Sequence, residues 1–241
     1  ASDVYKRQGM PAYKVASFEI NDIQLLRKIA KTGKPIIMAT GIAELADIEQ
    51  ALKTCIEAGN DQVILLKCTS AYPTPYDEVN INMLKTLRET FGCLVGISDH
   101  TFGATVPILS VAMGGKMIEK HVTLKRSDGG TDSEFSMEME EFEEMCKQVR
   151  MAEQAMGTSR YYLTDSQKME RHFSRSLFIA EDMEAGEIIT ENNVRSVRPA
   201  DGMHTMYFED IVGKKVNRKL IKGTPMMWKF IDWSEDEEKK K

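Results

Sequence analysis

Five short apolar runs alternate with amphipathic stretches in this 241-residue chain, up to Gly157. The runs are rich in Val, Ile, Leu and Met, and polar residues follow each of them. The stretches between the runs repeat apolar residues at roughly helical spacing, so each can bury one stripe against a sheet. This alternation predicts βα units around a parallel sheet. The predicted strands cover residues 13–18, 35–40, 62–69, 94–98 and 116–122.

Three of the connections carry the apolar stripe of a helix, and a glycine stands where each helix should stop. The stripes are Leu45-Ile48-Leu52-Ile56, Val79-Ile81-Leu84-Leu87 and Val106-Leu109-Val111-Met113, and the glycines are Gly59, Gly92 and Gly114. A longer helix is predicted over residues 137–156, with Gly157 as its C-cap. We interpret its stripe as ordinary core: Met137, Phe142, Met145 and Val149.

The pattern changes after residue 157. Polar residues dominate the following stretch, and short strands broken by turn residues come after it. The sequence therefore predicts a barrel-type domain over 11–157, a linker over 158–172, a small β-rich module over 173–233 and a charged, disordered tail over 234–241. Residues 1–8 resemble a translated adapter sequence and lack an initiator Met, so we expect a truncated chain and exclude them from the fold.

Charge and hydropathy exclude two classes of function. The formal net charge is −5 and the pI is about 5.6, which argues against nucleic-acid binding. No stretch approaches the roughly 18 apolar residues of a membrane-spanning helix. These properties predict a soluble cytoplasmic protein. The four cysteines form no CxxC pair and are typical of reduced thiols, with little functional information.

Polar and ionisable residues gather at the ends of all five predicted strands. In a barrel of parallel strands these ends surround one pocket. Burying such groups costs free energy unless they have partners, so we expect a functional site there. The strand ends carry Lys14, Ser17 and Glu19; Thr40 and Gly41; Cys68, Ser70 and Tyr72; Ser98, Asp99 and His100; and Glu119, Lys120 and His121.

His100 and His121 end neighbouring strands and could converge on one metal ion with open positions for water and substrate. Each could instead be a structural histidine with a satisfied hydrogen bond, and spacing alone leaves both interpretations open. Because side chains alternate along a strand, Glu119 should share a face with His121 while Lys120 points away. Glu119 could also be the partner of a buried lysine or arginine.

Several strand-end residues could hold a phosphate or carboxylate group through one fixed charge and several hydroxyl donors. Each hydroxyl could equally cap its own strand end. The residues are Lys14, Ser17, Thr40, Ser70 and Ser98. The turn-rich loop 127–133 either covers the pocket or connects elements on the surface. Its carboxylates, Asp128 and Asp132, favour contact with a sugar.

Several strings in order resemble the sialic acid synthase family across residues 11–233. They are Tyr13-Lys14-Val15-Ala16-Ser17, Ala39-Thr40-Gly41, Cys68-Thr69-Ser70-Ala71-Tyr72-Pro73-Thr74-Pro75, Ser98-Asp99-His100-Thr101 and Glu119-Lys120-His121-Val122-Thr123. Residues 176–231 resemble the antifreeze-like (SAF) domain of those enzymes. The loop 127–136 and the string Ala16-Ser17-Phe18-Glu19-Ile20 are similar to the pseudaminic acid synthase branch.

The resemblance implies a (β/α)8 TIM barrel followed by a β-clip SAF domain. It also implies condensation of phosphoenolpyruvate with the amino sugar 2,4-diacetamido-2,4,6-trideoxy-L-altrose, giving pseudaminic acid and phosphate. The alternatives are an N-acetylneuraminate or legionaminic acid synthase, or a carbohydrate-binding fragment without activity. Three of the eight βα units would be missing, so we expect the chain alone to be inactive and poorly soluble.

By resemblance, His100 and His121 bind the metal, which is manganese, magnesium or cobalt. Phosphoenolpyruvate contacts fall on Lys14, Ser17, Ser70 and Ser98, although the family commonly has Asn at the position of Ser70. Residues near the acceptor sugar are Tyr72, Glu119 and Asp132. Arg198 matches an arginine that reaches the partner subunit's pocket in a domain-swapped homodimer.

Overall fold

The computed structural model describes residues 9–234. The chain divides into two compact units, Ala1–Thr158 and Ser159–Lys241, and each has a hydrophobic core. The predicted adapter segment 1–8 and all but the first residue of the predicted tail 234–241 lie outside the described residues. No helix within residues 9–234 is both long and apolar enough to cross a membrane.

The first unit contains a sheet of five parallel strands in sequential order, which confirms the predicted fold class. The strands are β1 (Tyr13–Val15), β2 (Ile36–Ala39), β3 (Val63–Cys68), β4 (Leu94–Asp99) and β5 (Ile118–Lys120). The helices that connect and follow them are α1 (Ile23–Ala30), α2 (Leu45–Glu57), α3 (Met83–Phe91), α4 (Thr105–Ala112) and α5 (Met139–Met156). Three 3-10 turns lie at Ser17–Glu19, Tyr76–Glu78 and Arg126–Asp128.

Apolar side chains from the strands and from α1, α2 and α3 form the largest core of this unit. Helix α1 begins where the Asp22 carboxylate accepts a hydrogen bond from Leu25 N at 3.0 Å, and it buries Leu26. Helix α3 ends at Gly92, whose φ of 66° is a left-handed conformation that glycine adopts without strain. These caps and buried stripes fix the helices against the sheet.

Four strands are shorter than the sequence predicted: β2 and β3 by one residue at each end, and β1 and β5 by more. The predicted strand 13–18 ends at Val15, because Ser17 turns inward to accept a hydrogen bond from Gly41 N and the Glu19 carboxylate accepts one from Ala16 N. The predicted strand 116–122 is limited to Ile118–Lys120. Beyond it, the backbone leaves β4 and continues beside Met137 instead.

Some helical predictions also need correction. Helix α1 was not predicted at all. Val79, Ile81 and Met137 were predicted to lie within helices, but Val79 and Ile81 precede the first residue of α3 and Met137 precedes that of α5. In α2 the predicted stripe is only partly buried, since Leu45 is 66% exposed while Ile48 is buried. The α5 stripe does pack into a core with Val111, as expected.

The second unit is a small β-rich module with its own core. Strand β6 (Ser176–Ile179) pairs antiparallel with β7 (Val194–Val197), and β8 (Lys215–Val216) pairs with β9 (Ile231–Asp232). Two short helices, α6 (Asp165–Glu170) and α7 (Phe208–Ile211), accompany 3-10 turns at Arg171–Phe173, Thr205–Tyr207 and Trp228–Phe230. Helix α6 lies within the stretch predicted as a linker, and the Thr164 hydroxyl caps it.

The first turn of α5 is held by a bidentate ion pair between Arg126 and Glu141, with N–O distances of 2.5 and 2.9 Å. Glu141 also accepts a hydrogen bond from Glu138 N. The Arg126 guanidinium and this N–H lower the pKa of Glu141 to about 2. An unfolded glutamate has a pKa of about 4.3, so the pair stabilises the fold above that pH and loses its effect as pH falls towards 2.

We therefore expect Glu141→Gln to lower the urea midpoint of unfolding at pH 7, and the difference from the parent to vanish between about pH 5 and pH 2. Glu140→Gln is the matched control, because it removes an acid from the same helical turn without breaking the ion pair. Equal losses in both variants at pH 7 would mean that the helix dipole, and not the pair with Arg126, is responsible.

Candidate active site

Polar side chains from β1, β3, β4 and β5 meet at the carboxyl ends of these strands. Ser98 and Glu119 are opposite each other in the register of β4 and β5, and the Ser98 hydroxyl donates to Glu119 Oε1 at 2.7 Å. Lys120 lies on the other face, bonded to Asp99. The structure therefore places Glu119 and Lys120 on opposite faces, as the strand alternation predicted.

The two candidate metal ligands lie side by side. The ring centroids of His100 and His121 are 5.1 Å apart, and the planes meet at 77°. His100 Nδ1 is 3.0 Å from the carbonyl oxygen of Thr69. Because a carbonyl can only accept, Nδ1 carries the proton, and Nε2 is the nitrogen of His100 that could bind a cation. His121 Nδ1 lies 3.7 Å from Asp132 Oδ2.

Neighbouring groups shift the ionisation of this cluster. Burial lowers the pKa of His100, but contacts with Cys68 and the Thr69 carbonyl outweigh burial and leave that pKa above its ordinary value. Burial raises the pKa of the Cys68 thiol, yet hydrogen bonding with His100, Ser17 and Ser98 outweighs it and leaves that pKa lowered. Burial and the charge of His100 lower the pKa of His121, which favours the neutral, metal-binding imidazole.

The donor set of the site can be compared with what a divalent cation requires. Within residues 9–234, no group of three or more His, Cys, Asp or Glu side chains is arranged to hold a metal. Two adjacent imidazoles, one of them oriented by a backbone carbonyl, nonetheless fit an ion that takes its remaining ligands from water and substrate. His100 and His121 are therefore the residues that could hold it.

A small cradle of hydroxyl and thiol groups surrounds Gly41. A Cβ atom at this position would lie 2.4 Å from Ser70 Oγ, 2.7 Å from Ser17 Oγ and 3.0 Å from Cys68 Sγ, so only glycine fits. Among the described residues, the buried Ser70 hydroxyl has no hydrogen-bond partner. An unpartnered buried hydroxyl is costly unless a ligand or water completes it, so this cradle is suited to a polar ligand.

Lys14 and Glu119 form an ion pair at 3.3 Å, and both side chains remain partly exposed. Glu119 is therefore the partner of a lysine, as the alternative interpretation proposed. Lys14 is partly exposed, however, and not buried as that interpretation expected. Thr40 has a different role from the other hydroxyls, because its Oγ donates to the Leu66 carbonyl at 3.1 Å. This contact agrees with the alternative in which the Thr40 hydroxyl caps a strand end and does not bind a ligand.

Aromatic rings form one wall of the site. Tyr72 packs 4.2 Å from His100, and Phe135 lies 5.0 Å from His121, both measured between ring centroids. Asp132 reaches His121, whereas Asp128 is exposed in the same loop. Sequence reasoning missed Phe135 and regarded Cys68 as uninformative. Cys68 was nevertheless among the strand-end residues expected at the site, and it lies opposite Ser98 in the register of β3 and β4.

Arg198 lies in the second unit, directly after β7. It lines a cleft of about 550 Å³ together with Arg195 and Lys222. Its contact with a partner subunit's pocket stays a prediction.

The parallel sheet and the polar cluster at its carboxyl edge define part of a (β/α)8 barrel with a site at its mouth. The NeuB family matches residues 1–161, and the SAF domain matches residues 174–232. The chain belongs to the NeuB family, which confirms the predicted family.

Its relatives include the pseudaminic acid synthases of Campylobacter jejuni serotype O:23/36, at 42% identity, and Helicobacter pylori, at 38%. These alignments cover 90% and 94% of this chain but only 64% and 67% of the relatives. An N,N'-diacetyllegionaminic acid synthase of C. jejuni is 37% identical, over 88% of this chain and 64% of the relative. The solved structure of a putative spore coat polysaccharide biosynthesis protein E from Chromobacterium violaceum has a TM-score of 0.71 at 25% identity, covering 96% of this chain and 70% of that one.

The different contacts of Thr40 and Ser70 give a direct test of the cradle. Thr40→Ala should lower the free energy of unfolding by about 1 kcal/mol, because it removes a satisfied hydrogen bond, and should leave the affinity for inorganic phosphate, used as a probe of the cradle, unchanged. Ser70→Ala should leave stability unchanged or raise it, and should weaken binding. Urea unfolding and isothermal titration measure the two effects. A Thr40→Ala variant that loses as much affinity as Ser70→Ala would contradict this division.

Proposed function

We propose that this chain forms part of a pseudaminic acid synthase, which condenses phosphoenolpyruvate with 2,4-diacetamido-2,4,6-trideoxy-L-altrose. One observation carries the proposal: two imidazoles, an exposed Lys14–Glu119 pair and an unpartnered Ser70 hydroxyl meet at one end of a parallel sheet. The identity to pseudaminic acid synthases supports the choice of sugar. Because the chain covers about two thirds of those relatives, the proposal concerns the whole protein to which it corresponds.

The reaction joins the CH₂ carbon of phosphoenolpyruvate to the aldehyde carbon of the open-chain sugar. Water then adds to the resulting oxocarbenium-like carbon, and phosphate leaves with cleavage of its C–O bond. A divalent ion held by His100 and His121, which we propose is manganese, magnesium or cobalt, would polarise the aldehyde oxygen as a Lewis acid.

The cradle and its neighbouring lysine bind the anionic substrate in this proposal. The Lys14 ammonium supplies the fixed positive charge, and the Ser17 and Ser70 hydroxyls donate to phosphate or carboxylate oxygens. Ser98 has a different role, because its hydroxyl already donates to Glu119. We therefore assign to Ser98 the orientation of that carboxylate, in addition to any contact with phosphoenolpyruvate.

Glu119 is the group best placed to handle a proton. Ser98 and Lys14 hold its Oε1, and the side chain remains accessible to solvent. Such a carboxylate can orient the attacking water and accept its proton. On the sugar side, Tyr72 and Asp132 would donate to and accept from the acceptor's polar groups. Arg198 would come from the partner subunit of a domain-swapped homodimer.

A legionaminic acid synthase is the second candidate, because one such enzyme is 37% identical to this chain. The loop 127–136 favours the pseudaminic branch. Offering each acceptor sugar in turn to the chain, combined with the part of the C. jejuni pseudaminic acid synthase that it does not cover, separates the two. Phosphate release with the altrose-type sugar supports the proposal, and release only with the legionaminic precursor replaces it.

In that assembled enzyme, His100→Ala and His121→Ala should each reduce metal-dependent phosphate release by more than about 100-fold. Loss of a residue that only hydrogen-bonds to a metal ligand already costs about 10- to 100-fold, and loss of the ligand itself should cost more. His172→Ala is the matched control, because this exposed histidine lies in the second unit. Phosphate release that persists in either of the first two variants would exclude a catalytic metal on this pair.

Glu119→Gln should lower kcat by about 10²- to 10⁴-fold and change KM for phosphoenolpyruvate little, because the amide keeps the contact with Ser98 but cannot accept the proton. Glu78→Gln removes an exposed carboxylate that follows strand β3 and should leave both constants unchanged. A rise in KM with kcat intact would show instead that Glu119 serves only in binding.

A further inference from the structure

A buried ion pair lies directly behind the two imidazoles, on the opposite face of the same strands. Asp99 is the last residue of β4, Lys120 is the last residue of β5, and they are opposite each other in the register. Lys120 Nζ is 2.7 Å from Asp99 Oδ2, and the side chains are 1% and 2% exposed. Each member directly precedes a candidate metal ligand in the sequence, His100 or His121.

Thr101 joins the pair to the backbone on the far side of His100. Its N–H donates to Asp99 Oδ1 at 3.0 Å, and its hydroxyl donates to Asp99 Oδ2 at 3.1 Å. Lys120 Nζ also donates to the Thr101 carbonyl. These bonds connect Asp99 and Thr101, which flank His100, to Lys120, which precedes His121.

Lys67 holds the third strand end in a related way. Its ammonium is buried and donates to the Cys68 carbonyl at 2.9 Å and to the Thr69 hydroxyl at 2.6 Å. The Thr69 carbonyl is the group that accepts from His100 Nδ1. The face of the sheet behind the site thus fixes both the backbone around His100 and the acceptor that orients its ring.

A buried ion pair is a poor way to gain stability, because desolvation of the two charges offsets most of their attraction. Apolar residues of similar size at these positions would often be as stable. What the pair does supply is a directional contact between the two strand ends that carry the imidazoles. Both carboxylate oxygens and the ammonium have hydrogen-bond partners, which favours one arrangement of those ends.

We propose that Asp99 and Lys120 are positioning residues that fix the relative orientation of the His100 and His121 rings, and thereby the affinity of the ring pair for a divalent cation. The statement about the cation depends on the proposed function, whereas the statement about ring orientation does not. Both side chains lie on the face of the sheet opposite Ser98 and Glu119.

The test uses the double variant Asp99→Asn/Lys120→Met in the full chain. Each single substitution would leave one charge buried and unpaired, which lowers Tm for reasons unrelated to positioning. The double variant leaves no unpaired charge, and the side-chain amide oxygen introduced at position 99 can still accept from Thr101 N, so we expect a Tm near that of the parent. It removes the ion pair between β4 and β5 and the Lys120 bond to the Thr101 carbonyl.

Two measurements report on positioning. The first is a Co²⁺ titration followed by visible absorption, in which we expect the double variant to bind about 10- to 100-fold more weakly. The second is NMR of ¹⁵N-labelled imidazoles, of which the chain has four. The signals of His100 and His121 should broaden or shift, and those of His172 and His204 should stay unchanged as internal controls.

Leu84→Ala is the control for stability, because this fully buried residue of α3 lies outside the network. It should lower Tm and leave the imidazole signals in place. Parent-like Co²⁺ affinity and parent-like His100 and His121 signals in the double variant would overturn the proposal. If His100→Ala retains the parent's Co²⁺ affinity, the metal role in the proposed function fails, and the NMR signals alone then decide whether the pair positions the rings.

Discussion

The register between β4 and β5 is the constraint on which the site depends. It sets Ser98 opposite Glu119 and Asp99 opposite Lys120. Because side chains alternate, the first pair faces the pocket and the second pair faces the opposite side. A slip of one residue would exchange the faces and turn Lys120 into the pocket. The parallel direction of all five strands then brings the other polar groups to the same edge.

The hydroxyl groups of the site divide into those that the fold satisfies and one that it does not. Thr40 donates to a neighbouring carbonyl and Ser98 to a carboxylate, so both contribute to holding strand ends together. Ser70 has no such partner among the described residues. Buried hydroxyl groups in folded proteins nearly always have a hydrogen-bond partner. Its presence beside Gly41, in a space that a Cβ would fill, is the clearest structural sign that a ligand belongs there.

The sequence predicted the strands well because β2, β3 and β4 are largely buried runs of mostly apolar residues, and it predicted the strand ends poorly. Ser17 and His121 lie beyond the strands to which they were assigned. Their positions depend on contacts with Gly41 and with the backbone beside Met137, both distant in sequence. Phe135 was missed for the same reason. Its apolar character suggests core, and only the path of the loop brings it to the imidazoles.

The strings Ser98-Asp99-His100-Thr101 and Glu119-Lys120-His121 are best understood as one unit across two strands. Because side chains alternate, each string contributes residues to both faces of the sheet. On each face, a residue of one string contacts the residue opposite it in the other string. Glu119 needs Ser98 on the pocket face, and Lys120 needs Asp99 behind it. Sequence alone predicted the first face, where the chemistry is. The second face is visible only once the register is known, because an Asp and a Lys that are 21 positions apart carry no local sign that they meet.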